Sequence, residues 1–369
     1  MLRLAFRNLF QNKVRLVVSV GGVALALALI LSLDAILTGV ERQITSYIDN
    51  SKADVWVSQP GVRNLHMVTS SLPPTVTREV EGVAGVESAT PIMYLTNLIV
   101  AGDNRDLAYV IGLPENAEAG TPSNVVEGVE IPDGGEAVMD GGVARKWGLE
   151  IGDEIRVLGK EFTVAGLSEG DASMINSIAF IAMDDFARLR ARDSVSYVLA
   201  KVEPGASPGE VARRIESEVG GVTAQSRADF AGQERNIVTD MTTELVALMN
   251  LIGLLIGLAV VALTVYVATL ARRPEYGVLK ALGARNGHLY GVVLTQALCS
   301  VALGFAAALA FTLLLSAAVP ALALNLSLQI SGASLLKVGS MALVIAGLAA
   351  ILPVRQIARL DPATVYRGK

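Results

Sequence analysis

The chain has 369 residues, 52% of them apolar, 18% charged and 5% aromatic, with 30 Lys+Arg against 35 Asp+Glu. Its apolar residues gather in uncharged runs longer than globular helices need, it holds one cysteine, and it has no low-complexity tract. Disorder, collagen, a disulfide scaffold and a water-soluble enzyme are therefore excluded, which leaves an integral membrane protein.

Residues 1–15 carry Arg3, Arg7, Lys13 and Arg15 and read as a cytoplasmic N-terminal segment. Leu16 to Leu33 is a run of 18 residues without a charge, read as the first span over 16–37 and continuing as a stalk to about 49. Its apolar core exceeds the roughly 7–15 residues of a signal-peptide core, so it is read as a span rather than a cleaved leader. No proline interrupts the stretch, and a helix from Val14 to Ile48 would be about 52 Å long at 1.5 Å per residue.

Residues 50–227 read as an extracytoplasmic α+β domain. Ala53–Ser58 and Val86–Pro91 are expected strands, with a helix over Thr75–Val83 between them. Asn97–Gly112 has the pattern of a hairpin around GDNRD. Glu136–Asp140 reads as a strand leading into a helical GGVARKWGL, and Glu154–Leu158 with Glu161–Leu167 as a second hairpin around Gly159-Lys160. A strand over Ser194–Val202, a helix over Ser207–Val219 and a strand over Val222–Gln225 complete it. The expected arrangement is one layered subdomain interrupted by another.

The second stalk and span occupy 228–271, where Leu245 to Ala271 is a run of 27 uncharged residues. A short loop, 272–288, precedes 48 uncharged residues between His288 and Lys337. Pro320 and the polar residues after it divide this block into a span over 289–318, a short outer loop over 319–333 and a span over 334–353 ending at Pro353. A tail, 354–369, follows. The fold class is thus an α-helical membrane protein with four transmembrane helices plus an α+β extracytoplasmic domain inserted between the first and second helices.

Lys and Arg set the orientation. They gather in the N-terminal segment, at Arg272, Arg273, Lys280 and Arg285 in the 272–288 loop, and at Arg355, Arg359, Arg367 and Lys369 in the tail, and they are absent from 319–333. Both termini and the 272–288 loop are expected on the cytoplasmic side of the cytoplasmic (inner) membrane. The segment 38–243, expected outside, holds 17 basic and 31 acidic residues, a net of −14.

No G-x-x-x-x-G-K-[ST] occurs, so nucleotide phosphates are not cradled in the P-loop manner. The two histidines, His66 and His288, lie on opposite sides of the membrane, and no paired-cysteine or H-E-x-x-H spacing exists for zinc. No catalytic residues, cofactor site or metal site are expected on this chain, nor any contact with nucleic acid.

In ARRPEYGVLKALGARNGHLYGVVLTQ, Pro274 suits the first turn of a helix, Glu275 the positive end of its dipole, and Gly283 its end. Tyr276, Leu279 and Leu282 share one face, as in an amphipathic helix that docks a soluble partner or lies on the membrane surface. RRPEYGVLKALGAR resembles the coupling loop of the FtsX-like and MacB-type ABC permeases (type VII, mechanotransmission). AFRNLFQNKVR, EAVMDGGVARKWGLEIGDEIRVLGKEFTVAGL and ILPVRQIARLDPATVYRG resemble, in the same order, that family's approach to its first span, its extracytoplasmic core and its closing segment.

The resemblance implies a MacB-like core in two subdomains and a subunit paired with a second copy or a related permease. It also implies a cytoplasmic ABC ATPase subunit carrying ATP and Mg, and leaves room for a periplasmic adaptor. Arg273, Glu275, Gly277, Lys280 and Gly283 become the ATPase-coupling element, with Tyr276 on its apolar face. The implied activity is export or extraction of an amphiphilic cargo such as a lipid, lipoprotein, drug or haem. An FtsX-like signal transmitter that activates cell-wall hydrolases without transport is the alternative, and a stand-alone receptor ranks last.

Further positions remain open. Gly253 and Gly257 form a G-x-x-x-G that brings helices together, within the subunit or across a homodimer. Asp34 and Lys337, near the outer boundary, snorkel, pair with one another, or line an outer-leaflet opening for substrate. His66 and Met67, in the loop SQPGVRNLHMVTSSLP, are either a soft-ligand pair for haem or a metal or an incidental loop pair, in a loop placed to contact cargo.

Overall fold

The computed structural model describes residues 13–172, 177–190, 194–319 and 328–358. In chain order the first elements are α1 (Lys13–Ile44), α2 (Ser46–Asn50), β1 (Val55–Ser58), α3 (Thr75–Glu81), β2 (Val86–Ala101), β3 (Asn104–Leu113) and β4 (Val125–Gly128). Then come β5 (Glu136–Asp140), α4 (Gly141–Trp147), β6 (Glu154–Val157), β7 (Lys160–Ser168), β8 (Ser177–Ala182), α5 (Met183–Arg190) and β9 (Tyr197–Val202). The last are α6 (Pro208–Val219), β10 (Thr223–Ser226), α7 (Arg227–Ala271), α8 (Arg273–Ala281), α9 (Asn286–Ala318) and α10 (Gly332–Ala358). The chain divides into a helical unit, Met1–Gly39 with Thr242–Lys369, and an α/β unit, Val40–Met241.

Among the described residues four helices, α1, α7, α9 and α10, are long and apolar enough to cross a bilayer. In the helical unit, Val23, Leu27, Ile30 and Leu31 recur at helical spacing on α1 and are buried against Val261 and Val265 of α7, Val293 and Val301 of α9, and Val338 and Ile345 of α10. Glycines set how closely these backbones approach: a Cβ on Gly304 of α9 would fall 2.6 Å from Val23 Cγ1.

Two helix boundaries differ from the sequence expectation. The expected unbroken helix to Ile48 is interrupted at Thr45, whose hydroxyl bonds back to the carbonyls of Glu41 and Arg42 and to Asp49 at 2.7 Å, so α2 starts as a separate turn. The last helix does not stop at Pro353, because α10 continues to Ala358 with the proline buried inside it. Its ring forfeits one hydrogen bond, and the Lys280 ammonium holds the carbonyls of Ile357 (2.8 Å) and Ala358 (3.2 Å) at the helix end.

In the α/β unit the strands run β10-β1-β9-β2-β3-β8-β5-β7-β4, with β6 pairing β2 and β7. The expected short strand and the first arm of the following hairpin are one 16-residue strand, β2, which pairs with β9 over Val86–Ile92 and with β3 over Met93–Ala101. Pro91 is tolerated because β2 has a single neighbour there. The hairpin turn is Gly102-Asp103, with Gly102 at φ +56°, rather than the five residues GDNRD.

Through β2 the sheet falls into two halves. α3 and α6 cover the half made of β1, β9 and β10, and α4 and α5 the half made of β3, β5, β7 and β8. β4, β8 and α5 went unread in the sequence. β8 is buried on both faces and shows no alternation to detect.

Candidate functional site

In the helical unit, α8 is a nine-residue helix between the ends of α7 and α9. Arg273 opens it and Pro274 follows in its first turn, where a missing N–H costs nothing. Glu275 is exposed and lies 3.4 Å from the Arg272 guanidinium. Tyr276 and Gly277 are buried, Tyr276 within the bundle core. The expected single apolar face is therefore split: Tyr276 points inward, while Leu279 and Leu282 are 41% and 79% exposed.

Gly283 ends α8 at φ +87° in a Schellman arrangement, its N–H donating to the Lys280 carbonyl (3.0 Å) and that of Ala284 to Leu279 (2.9 Å). Lys280 itself is turned to the end of α10. Beyond the turn, Leu279, Gly283, Leu289 and Val292, with Arg285 and His288, line a groove of about 490 Å³.

Gly253 and Gly257 pack within the chain. A Cβ on Gly253 would meet Ile30 Cγ1 at 2.6 Å, and one on Gly257 would meet Ile345 Cδ1 at 2.9 Å and Ala26 Cβ at 3.5 Å. Lys337 and Asp34 form an ion pair of 2.6 Å in the same unit, with Asp34 only 15% exposed.

In the α/β unit the structure parts His66 from Met67. Met67 is 66% exposed, whereas both His66 nitrogens are engaged, Nδ1 with Glu234 Oε1 and Nε2 with the Tyr109 hydroxyl. Glu234, on the first turns of α7, is fully buried, and its Oε2 accepts the Leu65 N–H at 2.6 Å. Each ring nitrogen of His66 thus meets one oxygen, a carboxylate oxygen of α7 on one side and a phenol of β3 on the other.

The His66 and Tyr109 rings meet edge-on at 5.1 Å. Tyr94 and Tyr197 close the surround, and burial, with the Glu234 charge adding to it, pushes both phenols up. One turn earlier on α7, Phe230 stacks on Trp56 at 4.9 Å. Sequence reasoning found His66 but missed Glu234 and Tyr109. They lie 168 and 43 residues away from it, and nothing local marks either of them.

Residues 16–218 match the MacB-like periplasmic core domain and residues 247–362 the FtsX-like permease C-terminal domain. A Methanocaldococcus jannaschii protein described as an uncharacterized ABC transporter permease is 21% identical over 398 residues, covering 99% of this chain and 97% of that one. A Mycobacterium tuberculosis protein of the same description is 22% identical over 374 residues, covering 100% of both. The extracellular domain of the noncanonic ABC-type transporter YknZ from Gram-positive bacteria matches 47% of this chain and 99% of its own, at 15% identity and a TM-score of 0.37. The periplasmic region of MacB from Actinobacillus actinomycetemcomitans matches 51% of this chain and 96% of its own, at 12% identity and a TM-score of 0.39. A core-domain match over more than half of the chain, the permease match that follows it and four membrane-length helices make this a multi-pass membrane protein with an extracellular domain, and the chain belongs to the FtsX-like, MacB-type family of ABC transporter permeases.

Proposed function

We propose that the chain is the non-catalytic membrane subunit of a transporter driven by a separate cytoplasmic ATPase, which supplies ATP and Mg and docks on α8. In this reading both termini are cytoplasmic, two permease subunits pair, and α1 and α7 carry the stroke to the α/β unit. The cargo is an amphiphile handled at the outer leaflet, with a periplasmic adaptor as a further partner.

The carrying observation is the build of α8. Its C-terminal end is fixed by the Gly283 turn and by the Lys280 tie to α10, while Arg273, Glu275, Leu279 and Leu282 stay exposed. A fixed, exposed amphipathic helix beside an apolar groove rimmed by Arg285 and His288 suits a partner that presents an apolar side chain flanked by carboxylates.

The test is ATP hydrolysis by the cognate ATPase co-purified with this chain while candidate amphiphiles are titrated. Cargo-stimulated activity is expected to fall about tenfold in Glu275→Ala, the equivalent of about 1.4 kcal/mol of docking energy, and at least as far in Gly277→Val. Failure of an ATPase to co-purify, or activity indifferent to both substitutions, sinks the coupling role. Unstimulated activity alongside a bound cell-wall hydrolase points to the signalling alternative.

A further inference from the structure

We infer that Glu234, His66 and Tyr109 form the joint by which α7 is keyed to the loop over 59–74, making them positioning residues for transmission of the stroke to the exposed Met67 and Val68. The inference rests on the reading of the chain as an ATPase-driven permease.

Three observations carry it. A carboxylate buried to 0% exposure is tolerable only when paired and hydrogen-bonded. Both Glu234 oxygens find their partners in the loop, at the Leu65 N–H and the His66 ring, so helix and loop cannot separate without stranding the charge. Second, Glu234 lies on the same helix, α7, as the exposed Met241, with no proline between them.

Third, the loop is itself a braced body. The Gln59 N–H donates to Ser70 Oγ (2.8 Å), Ser71 N–H to Gln59 Oε1 (3.2 Å), and the Ser58 hydroxyl to the Val62 carbonyl (2.6 Å), with Val62 and Leu65 buried beneath it. Met67 and Val68, 66% and 51% exposed, stand at its surface. Tyr109, on β3 within the sheet, is the third member. His66 thus bridges the helix to the sheet, and a shift of α7 by one residue, about 1.5 Å along its axis, would break one side of the bridge.

Tyr94 and Tyr197 stand close enough to Glu234 to feel its charge, and the Tyr109 hydroxyl, able both to donate and to accept, meets His66 Nε2.

The test uses the full chain with its ATPase in lipid nanodiscs, in a Cys299→Ser background. A spin label is placed at Met67→Cys or, separately, at Met241→Cys, an exposed position on α7. Both labels are expected to change mobility between the nucleotide-free and the ATP–Mg–vanadate states. In Glu234→Gln and in His66→Gln the response at 241 should persist while that at 67 falls at least fivefold, with basal ATP hydrolysis within twofold of the parent. Tyr109→Phe should fall between. Phe162→Leu, a core substitution in a separate buried cluster of the same unit, should lower thermal stability yet keep the response at 67.

A full response at 67 in Glu234→Gln and His66→Gln overturns the joint, as does a label at 67 that is silent in the parent while 241 responds. Silence at 241 in the parent overturns the driven-permease reading itself. His66→Gln, at a side chain 16% exposed, carries the test if Glu234→Gln does not fold.

Discussion

At Asp171, one carboxylate oxygen accepts the Ser123 N–H at 2.8 Å, while Oδ1 has no hydrogen-bond partner among the described residues. Burial pushes this carboxyl above the ordinary aspartate value, and the Ser123 bonds oppose the shift without cancelling it. The folded state therefore keeps its proton where the unfolded chain, with an aspartate value of about 3.9, has lost it. Stability from this group is fully present below that value and is lost as pH rises through the raised folded value. Asp171→Asn keeps an acceptor for Ser123 and removes the charge. Its unfolding midpoint relative to the parent should shift in the variant's favour between pH 4 and pH 7, as followed by thermal unfolding of the detergent-solubilised chain. A difference that is constant across that range would show that burial of the charge is not what shifts the group. His66 shows the converse limit of residue-level reading. Its rarity drew attention to it, yet its partners are set by tertiary structure, and Glu234 reads in the sequence as one more polar residue of a stalk.

Among the elements, those with local signals were legible. Asp140 caps α4 by accepting the Val143 N–H at 3.0 Å, and Gly148 ends it at φ +69°, as EAVMDGGVARKWGL announces. The second hairpin turns through Leu158 and Gly159 at φ +52° and +85°, one residue earlier than its expected centre. What could not be read locally was decided by neighbours: the fusion of two expected strands into β2, the fully buried β8, and the continuation of α10 through Pro353. The glycines of the span helices carry the sharpest test at this scale. Gly253→Ala would drive a methyl into Ile30, and overpacking of this kind costs about 1–3 kcal/mol. Gly347→Ala on α10 has nothing within 4 Å and should be neutral or gain up to about 1 kcal/mol of helix propensity. Thermal unfolding of the two variants side by side checks this. Equal effects would mean that Gly253 does not set how closely α7 approaches α1.

For the whole molecule, charge is sorted by segment. The stretch 38–243 has a net charge of −14, while the 272–288 loop carries Arg272, Arg273, Lys280 and Arg285 against a single acid, Glu275. The span helices are nearly free of charge, and within the helical unit the 2.6 Å Asp34–Lys337 pair ties α1 to α10. Near it the Ser32 and Thr312 hydroxyls meet at 3.3 Å, and Ser331 caps α10 by accepting the Ser334 N–H at 3.0 Å. In an apolar surround, removing one partner leaves the other charge uncompensated, whereas removing or exchanging both does not. Asp34→Asn and Lys337→Gln should each lower the unfolding midpoint, and the exchange Asp34→Lys with Lys337→Asp should recover most of the loss, with a coupling of about 1 kcal/mol for a partly exposed pair. Stability alone does not distinguish a structural tie from a group read by cargo, but the exchange does, because it preserves the tie and reverses the field an approaching headgroup meets. For a cargo that carries its charge past this pair, the exchanged protein should regain stability and basal ATP hydrolysis yet respond to the amphiphile at a several-fold higher concentration than the parent. An unchanged titration would confine the pair to holding α1 against α10.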